Sequence, residues 1–319
     1  RISDDRIEGY RNFANKIWNA ARLVLSNLDG YDPARARRTE PALAERWIRS
    51  RLAATITSTR AGLRRYRFSD AASSVYQFLW HEFCDWYLEI AKLALYRAES
   101  PAQRLQTQHT LVEVLEATLR LLHPFMPFIT EEIWQRLPHA GDSIMVAPYP
   151  KAGRTQRDEG AERAMNAVMD VVTAVRNIRG EMRIAPGVAL TVTLRPGRGG
   201  AALFRANGPL VEVLARIRLT VDPRATRPRS SAFALAGGAE LYVDLAGVVD
   251  LASERQRLEK EIKKASETVD FLTAKLARPE FVQRAPEEIV ERERARLTEL
   301  EALRAKLTAS LGWLDEGRR

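Results

Sequence analysis

The amino-acid sequence predicts a mainly α protein with three parts. These are an antiparallel helical bundle over residues 1–140, a small α+β module over residues 141–249, and an antiparallel two-helix coiled-coil hairpin over residues 250–319. Apolar residues recur every three or four positions in the first part. Glycine and proline surround short alternating runs in the second, and a seven-residue apolar repeat begins in the third.

The bundle is predicted from a succession of amphipathic segments. Residues 7–28 place their apolar side chains at alternating steps of four and three, as in a helix with one buried stripe. Similar spacing continues over residues 47–63, 75–93 and 111–122, with prolines between most of the segments. The last helix is predicted to begin near Thr130, because the two glutamates that follow would then lie in its first turn, where negative charge is favourable.

The α+β module is predicted from a change of composition after Pro138. Glycine and proline become frequent, a helix is expected over about residues 158–179, and alternating runs predict short strands at 188–194 and 241–245. We expect mobile loops between these elements.

The hairpin is predicted from two heptad-like runs. Residues 277–288 separate the runs and contain Pro279 and Pro286, so they are predicted to turn the chain. At about 1.5 Å per residue, an arm of roughly 26 residues extends about 40 Å and should protrude. The predicted core positions are Leu251, Leu258, Ile262, Ala265, Val269, Leu272 and Leu276 in the first run, and Val290, Leu297, Leu300, Leu307, Leu311 and Leu314 in the second.

Composition excludes several classes of protein. No apolar stretch is long enough to span a bilayer, and the charged opening residues leave no place for a secretory signal, so a cytoplasmic protein without membrane partner is expected. One cysteine, Cys84, cannot form a disulfide within the chain, and four histidines offer little for a metal site. Phosphate-loop, dinucleotide-binding and zinc-protease motifs are absent, so no catalytic residue is predicted.

The charge distribution favours a polyanionic partner. The net charge is +9, of which +3 falls in residues 1–150, +6 in residues 151–249 and none in residues 250–319. Such a balance suits phosphate neutralisation. Arginine outnumbers lysine 42 to 8, which suits bidentate phosphate contact but is equally explained by genomic base composition.

A second stripe on the first helix predicts nucleic-acid contact. Arg11, Asn15, Asn19 and Arg22 lie three or four residues apart and share a face with Trp18. Asparagine is a poor residue inside a helix, and amides and guanidinium groups can bind the edges of unpaired bases. The alternative is a polar network between helices that fixes the bundle.

An unusually aromatic run follows at residues 76–87. Its rings occupy most of the circumference of a helix, so at least one should be partly exposed. Trp80 and Trp86 are predicted as stacking surfaces for bases, whereas Phe83 is predicted to lie in the core. Core packing of the tryptophans is the alternative.

A basic strip is predicted on the first arm of the hairpin. Arg257, Lys260 and Lys264 follow one another at steps of three and four, and Phe271 lies seven residues further on. A solvated face is the usual explanation of such charges. A long projecting arm gains little from its own burial, which favours contact with RNA or protein.

Five segments resemble the class I valyl-tRNA synthetases. Three resemble the anticodon-binding helical domain, one the junction module that follows it, and one the turn of the C-terminal coiled coil. In that order they are GYRNFANKIWNAAR at 9–22, WHEFCDWYLE at 80–89, HPFMPFITEEIW at 123–134, VRNIRGE at 175–181 and KLARPEFVQRAPEEIVERE at 275–293. The 123–134 segment is shared with isoleucyl and leucyl relatives and specifies only the wider class.

This resemblance implies that two parts of the chain bind different regions of tRNA(Val). The helical domain would engage the anticodon, with Asn19, Arg22 and Trp86 the best candidates and Arg11, Asn15 and Trp80 beside them. The coiled coil would lean on the outer corner of the tRNA through Arg257, Lys260, Lys264 and Phe271. The family's catalytic fold, which uses ATP and Mg²⁺ to activate valine, and its editing domain are expected upstream of Arg1. The chain would then be inactive alone, without a cofactor of its own, and part of a monomeric enzyme.

Two alternatives use the same residues differently. One is a stand-alone RNA-binding paralogue that acts as a regulator, and the other is a coiled-coil interaction protein whose hairpin docks another helix. The first predicts a native polypeptide that begins near Arg1 with its own methionine. The second predicts that deletion of residues 251–314 abolishes partner binding but not RNA binding.

Overall fold

The computed structural model describes residues 4–36, 40–98, 100–153, 157–228, 231–248, 251–279, 281 and 287–316. The chain forms two compact units, Arg1–Asn166 and Ala167–Arg319. The predicted fold class, mainly α with a small α+β part, is confirmed. The three predicted domain boundaries stay a prediction.

The first unit is a bundle of helices. In chain order they are α1 (Asp4–Leu25), α2 (Pro33–Ala36), α3 (Leu43–Arg64), α4 (Phe68–Gln77), the π-helix π1 (Phe78–Tyr87), α5 (Leu88–Tyr96), α6 (Pro101–Leu122), α7 (Pro127–Trp134) and the first part of α8 (Glu159–Glu181). Helix α3 packs against α4, π1 and α6, and α1 packs against π1, α6 and α7. Ile17, Trp47 and Leu111 are among the side chains that fill the core between these helices.

The π-helix follows from the spacing of the buried residues. Val75, Leu79, Phe83, Tyr87 and Ala91 recur at steps of four and are all buried. In an α-helix each such step overshoots a full turn by about 40°, so the row would drift around the axis. In the wider turn of a π-helix the same steps fall short of a full turn, so π1 offsets the drift of the flanking α4 and α5 and the row stays on the core side. The sequence analysis predicted an ordinary helix here. Tyr87 is buried in it, whereas Trp86 is half-buried.

Helix α7 begins three residues before the predicted position. Pro127 occupies its first turn, where a missing N–H costs nothing because that group has no helical partner. Thr130 lies inside the helix, and its hydroxyl donates to the carbonyl oxygen of Met126 at 2.8 Å. The predicted start near Thr130 was therefore wrong by one turn.

A sharp turn joins α3 to α4. The backbone N–H of Arg67 donates to the Gly62 carbonyl at 2.8 Å and that of Tyr66 donates to the Leu63 carbonyl at 3.1 Å, which is the Schellman pattern. Tyr66 takes the left-handed position, with φ of 57°, where glycine is usual. A residue with a Cβ atom is strained there by about 1–2 kcal/mol.

Asp158 fixes the first turn of α8 against α3. One carboxylate oxygen accepts from the Ala161 N–H at 2.8 Å, and the other accepts from Nε of Arg46 at 2.9 Å. These two partners lower the pKa of Asp158 below its ordinary value. The first turn of α8 is therefore capped by a carboxylate that is most stable when ionised.

Glu162 adds a second ionic contact one turn further on. Its carboxylate accepts from the Ser50 hydroxyl and lies 3.3 Å from Arg51 Nη1 and 3.0 Å from Arg157 Nε. Burial opposes ionisation of Glu162, but the Ser50 hydrogen bond and the two guanidinium charges outweigh it and lower the pKa. Both carboxylates thus tie α8 to α3 in their charged form.

The second unit contains a four-stranded sheet in the described residues. The strands are β1 (Leu190–Pro196), β2 (Ile217–Val221), β3 (Ser231–Ala236) and β4 (Ala239–Asp244), in the order β2-β1-β4-β3. Strand β1 runs parallel to β2 and antiparallel to β4. The short helices α9 (Ala201–Ala206) and α10 (Gly208–Ala215) connect β1 to β2, as a parallel pair requires.

Two strands were not predicted. In β3 the run SAFALA is poor in β-branched residues, and its place at the sheet edge is set by pairing with β4 rather than by propensity. Gly237 and Gly238 form the β3–β4 turn, both with positive φ. A Cβ atom at Gly237 would lie 2.2 Å from the carbonyl oxygen of Ala167 in α8, so only glycine fits.

Arg179 joins α8 to the ends of two other segments. Its guanidinium donates to the carbonyl oxygens of Val188 at 2.7 Å and Ala185 at 3.1 Å, before β1. It also donates to those of Arg216 at 3.0 Å and Ala215 at 3.3 Å, before β2. Only 8% of Arg179 is exposed. Its role in the VRNIRGE segment is therefore structural.

The hairpin consists of α11 (Leu251–Leu276) and α12 (Glu287–Glu316). Lys275 Nζ lies 3.2 Å from Glu293, and Leu258, Val269 and Val290 are buried, as the heptads predict. At its base, α12 contacts β3, and Arg183 Nη2 lies 2.9 Å from Glu261. Half of the predicted turn, including Pro286, lies outside the described residues, as do the side chains of Leu251 and Leu314.

Candidate nucleic-acid interface

The predicted polar stripe on α1 faces solvent. Arg11, Asn15, Asn19 and Arg22 are all exposed, while the opposite side of the helix buries Ile17 and its apolar neighbours. Within the described part of the chain, the amides of Asn15 and Asn19 make no hydrogen bond, so they do not form the polar network between helices that was the alternative. These amides are available to a ligand.

Trp80 is less open than the sequence analysis predicted. Its indole stacks on Tyr76, with ring centroids 5.6 Å apart, and on Phe13, with centroids 6.1 Å apart. Lys16 Nζ lies 3.8 Å from the centroid of the same ring and 2.6 Å from Asp85. This arrangement suits Trp80 to hold Lys16 in place at the surface. Base stacking on Trp80 stays a prediction.

Trp18 is an exposed indole that the predicted site set omitted. It is 39% exposed on the polar face of α1, and the guanidinium carbon of Arg136 lies 5.5 Å from its ring centroid. The cation comes from just beyond α7, which packs against α1. Sequence spacing carries no signal for this pair, because the two residues meet only in the folded bundle. Trp86 is half-buried and engaged in contacts of its own.

A shallow groove of about 370 Å³ runs between α1 and the π1–α5 segment. It brings together Asn19 and Arg22 of the predicted set and adds Lys92, which the sequence analysis missed. Lys92 is held 2.6 Å from Glu89, whereas Arg22 has no ion pair in the described residues. Arg22 is thus the cation at this groove that is most available to a phosphate.

Cys84 lies at the floor of this groove. Burial raises the pKa of its thiol to about 12, although the charge of Lys16 opposes the shift. A thiol that stays protonated is a weak nucleophile, so the groove has no covalent chemistry at Cys84. It is suited to binding.

The hairpin presents three of its four predicted residues to solvent. Lys260 and Lys264 are exposed without an ion pair in the described part of the chain, and Phe271 is 65% exposed. Arg257 differs, because its Nη1 lies 2.8 Å from Glu261 and Nη2 donates to the Glu181 carbonyl. Its guanidinium therefore binds groups at the base of the hairpin. A role for Arg257 in RNA binding stays a prediction.

The described ranges contain no group of three or more His, Cys, Asp or Glu side chains that could hold a metal ion. None of their helices is both long and apolar enough to cross a membrane.

Comparison with known families and proteins gives consistent matches. Residues 45–194 match the anticodon-binding domain of tRNA ligases, and residues 250–315 match the valyl-tRNA synthetase tRNA-binding arm. The valine–tRNA ligase of Geobacter sulfurreducens is 44% identical over 98% of this chain, and those of Carboxydothermus hydrogenoformans and Geobacillus kaustophilus are 40% and 38% identical over 99% and 96%.

The chain spans 36% of the length of each of these relatives. The resemblance predicted from the sequence is confirmed: residues 45–194 belong to the family of anticodon-binding domains of tRNA ligases, and residues 250–315 belong to the family of valyl-tRNA synthetase tRNA-binding arms.

Proposed function

We propose that this chain is the tRNA-binding part of a valine–tRNA ligase, with the α1 face on the anticodon and the hairpin on the outer corner of tRNA(Val). The observation that carries the proposal is the row of exposed amide and guanidinium groups at Asn15, Asn19 and Arg22, which have no hydrogen bond or ion pair among the described residues. Amides read base edges and a guanidinium binds phosphate or guanine, so one helix face offers both kinds of contact.

The hairpin supplies the second contact. Lys260 and Lys264 lie one helical turn apart and Phe271 two turns further on, which gives a line of two cations and an exposed ring. Lysines bind the phosphate backbone without sequence preference, and a ring can stack on an unpaired base. This chemistry suits a structured corner of an RNA rather than a particular sequence.

The covalent steps belong to the rest of the ligase. Valine activation with ATP and Mg²⁺ would take place in a catalytic domain outside this chain, and the chain by itself would not aminoacylate tRNA. Assay of the purified chain with valine, ATP and tRNA tests this directly. We further propose that the parent enzyme is a cytoplasmic monomer. The relatives favour this function over a regulatory paralogue or a coiled-coil interaction protein.

Binding of the purified chain to a valine tRNA transcript tests the anticodon contact. Asn19→Ala and Arg22→Ala should each weaken binding by roughly tenfold, while Arg163→Ala, an exposed arginine on α8, should have little effect. If Asn19 meets an anticodon base, changing that base and Asn19 together should cost no more than either change alone. Binding indifferent to salt and to tRNA identity would contradict the proposal.

A truncated RNA separates the two contacts. Lys260→Ala with Lys264→Ala should weaken binding of whole tRNA but leave binding of an isolated anticodon stem-loop unchanged. The control is Arg292→Ala with Arg296→Ala, two exposed arginines on α12, the other helix of the hairpin, which makes the same change in net charge. Equal loss with both RNAs would mean that the hairpin does not act at the outer corner.

A further inference from the structure

A second basic and aromatic surface lies where α3 turns into α4. It combines exposed rings with cations in one short stretch of chain and one neighbouring loop. We call it the α3–α4 patch, and it comprises Arg60, Arg64, Arg65, Tyr66, Arg67, Phe68 and Lys151. None of these residues belongs to the surfaces described above.

The cations of the patch surround a groove of about 520 Å³. Arg60 and Arg64 line it one turn apart on α3, and Lys151 lines it from the loop after Pro150. The guanidinium of Arg60 donates to the Pro150 carbonyl at 3.0 Å, which fixes that loop against α3. In the described residues Arg64, Arg65 and Lys151 have no acidic partner. Uncompensated cations around a groove attract a polyanion.

The two rings are exposed far beyond what folding needs. Tyr66 is 82% exposed and Phe68 is 56% exposed, and the rings meet edge to face with centroids 6.3 Å apart. Tyr66 also occupies a left-handed backbone position at which glycine would be unstrained. The stability of the fold therefore does not explain why a tyrosine occupies this position. Stacking of the exposed ring on a base would explain it.

The patch lies at the end of the bundle where α1 begins. Phe68 and Tyr76 both lie on α4, about 12 Å apart along its axis, and the ring of Tyr76 lies 4.7 Å from that of Phe13 in α1. The chain then continues into π1, where Asp85 meets Lys16. A nucleic-acid strand that follows the α1 face toward its N-terminal end therefore comes near this patch.

From this geometry we propose that the α3–α4 patch is a further RNA-binding surface. It takes the sugar–phosphate backbone of the tRNA strand that adjoins the nucleotides on α1, with Arg64, Arg65 and Lys151 on phosphates. One unpaired base stacks on Tyr66, the more exposed ring, which Phe68 contacts edge to face. The inference rests on the proposed function, since it takes the ligand to be tRNA.

RNA fits the patch better than an acidic protein or a membrane surface. Residues 64–68 read Arg-Arg-Tyr-Arg-Phe, so each ring has an adjacent arginine that can bind phosphate, as on proteins that bind single strands. Two rings are too little apolar surface for stable insertion into lipid. Binding to anionic vesicles equal to binding of tRNA would overturn the proposal.

The salt dependence of tRNA binding tests the cations. Each phosphate contact contributes about 0.7–0.9 to the slope of log K against log salt, so Arg64→Ala with Arg65→Ala should reduce the slope by about 1.5. The control is Arg205→Ala with Arg218→Ala, two exposed arginines of the second unit, which makes the same change in net charge. An equal reduction in the control would refute a local contact.

Substitution of the rings separates binding from folding. Tyr66→Gly relieves the left-handed strain, so it should raise the midpoint of thermal unfolding while weakening tRNA binding by roughly tenfold. Phe68→Ala should weaken binding to a similar extent. Unchanged affinity in both variants would overturn the stacking assignment.

Parallel measurements on Asn19→Ala and Arg22→Ala distinguish the two proposals. If these weaken binding and the patch variants do not, the patch inference fails and the proposed function stands. If only the patch variants weaken it, the α1 assignment fails instead.

Discussion

Replacement of Arg179 by methionine tests how the second unit is held together. The guanidinium donates to four carbonyl oxygens, three of them at 2.7–3.1 Å, and methionine fills much of the same volume without a donor. A hydrogen bond from a charged group contributes about 1.5–3 kcal/mol. Desolvation of the guanidinium, which lowers its pKa, offsets part of that sum. We expect Arg179→Met to lower the free energy of unfolding by about 3–5 kcal/mol.

Calorimetry of the whole chain measures this effect. For a unit of this size the midpoint of the affected transition should fall by about 6–20 °C. Hydrogen exchange should become faster in residues 185–188 and 215–216, whose carbonyls lose their donor.

Arg176→Met is the matched control. Arg176 lies one turn earlier on α8, is exposed, and donates to the Leu214 carbonyl. We expect a loss of about 1 kcal/mol or less at this position. Equal losses in the two variants would refute the role given to Arg179.

Three further predictions concern stability and reactivity. Folding lowers the pKa of Asp158 and Glu162, so the stability that they contribute is present above the ordinary carboxyl range and is lost as pH falls through their folded pKa values. The midpoint of thermal unfolding should therefore fall in acid. Glu162→Gln should make this midpoint less dependent on pH. Cys84, with its pKa near 12, should react with a disulfide reagent at pH 8 far more slowly in the folded chain than in denaturant. Leu258→Ala, at a fully buried heptad position, should cost about 2–5 kcal/mol by denaturant unfolding, whereas Leu303→Ala, at a position 46% exposed, should cost little.

Periodicity predicted the helices well because the buried stripe of a helix depends only on the spacing of residues within one segment of the chain. The segments that became α3 and α6 bury the face that the spacing indicated, and α1 buries it from Ile17 onward, whereas Tyr10 is 68% exposed. The π-helix was missed because its signal, a row of buried residues at steps of four, resembles an ordinary stripe until the row is followed for several turns. Strand β3 was missed because its pairing with β4, rather than its composition, places it in the sheet.

For a related reason, only part of the candidate site could be predicted from the sequence. The exposure of Asn15, Asn19 and Arg22 follows from one helix and its apolar stripe, so sequence spacing was sufficient. Other contacts join residues far apart in the chain. They are the Trp18–Arg136 pair, the contact of Lys16 with Trp80, and the hydrogen bond from Arg257 to the Glu181 carbonyl. Those partners follow from packing between helices, which spacing does not specify.

Photo-crosslinking tests the central claim most directly. A valine tRNA with one photoreactive nucleotide in the anticodon loop would be bound to the whole chain, irradiated and digested, and the joined peptide identified by mass. We predict crosslinks within residues 10–22 of α1, reduced by Arg22→Ala and by added salt. Crosslinks confined to other parts of the chain, or equal crosslinking of a tRNA with an unrelated anticodon, would contradict the proposed function.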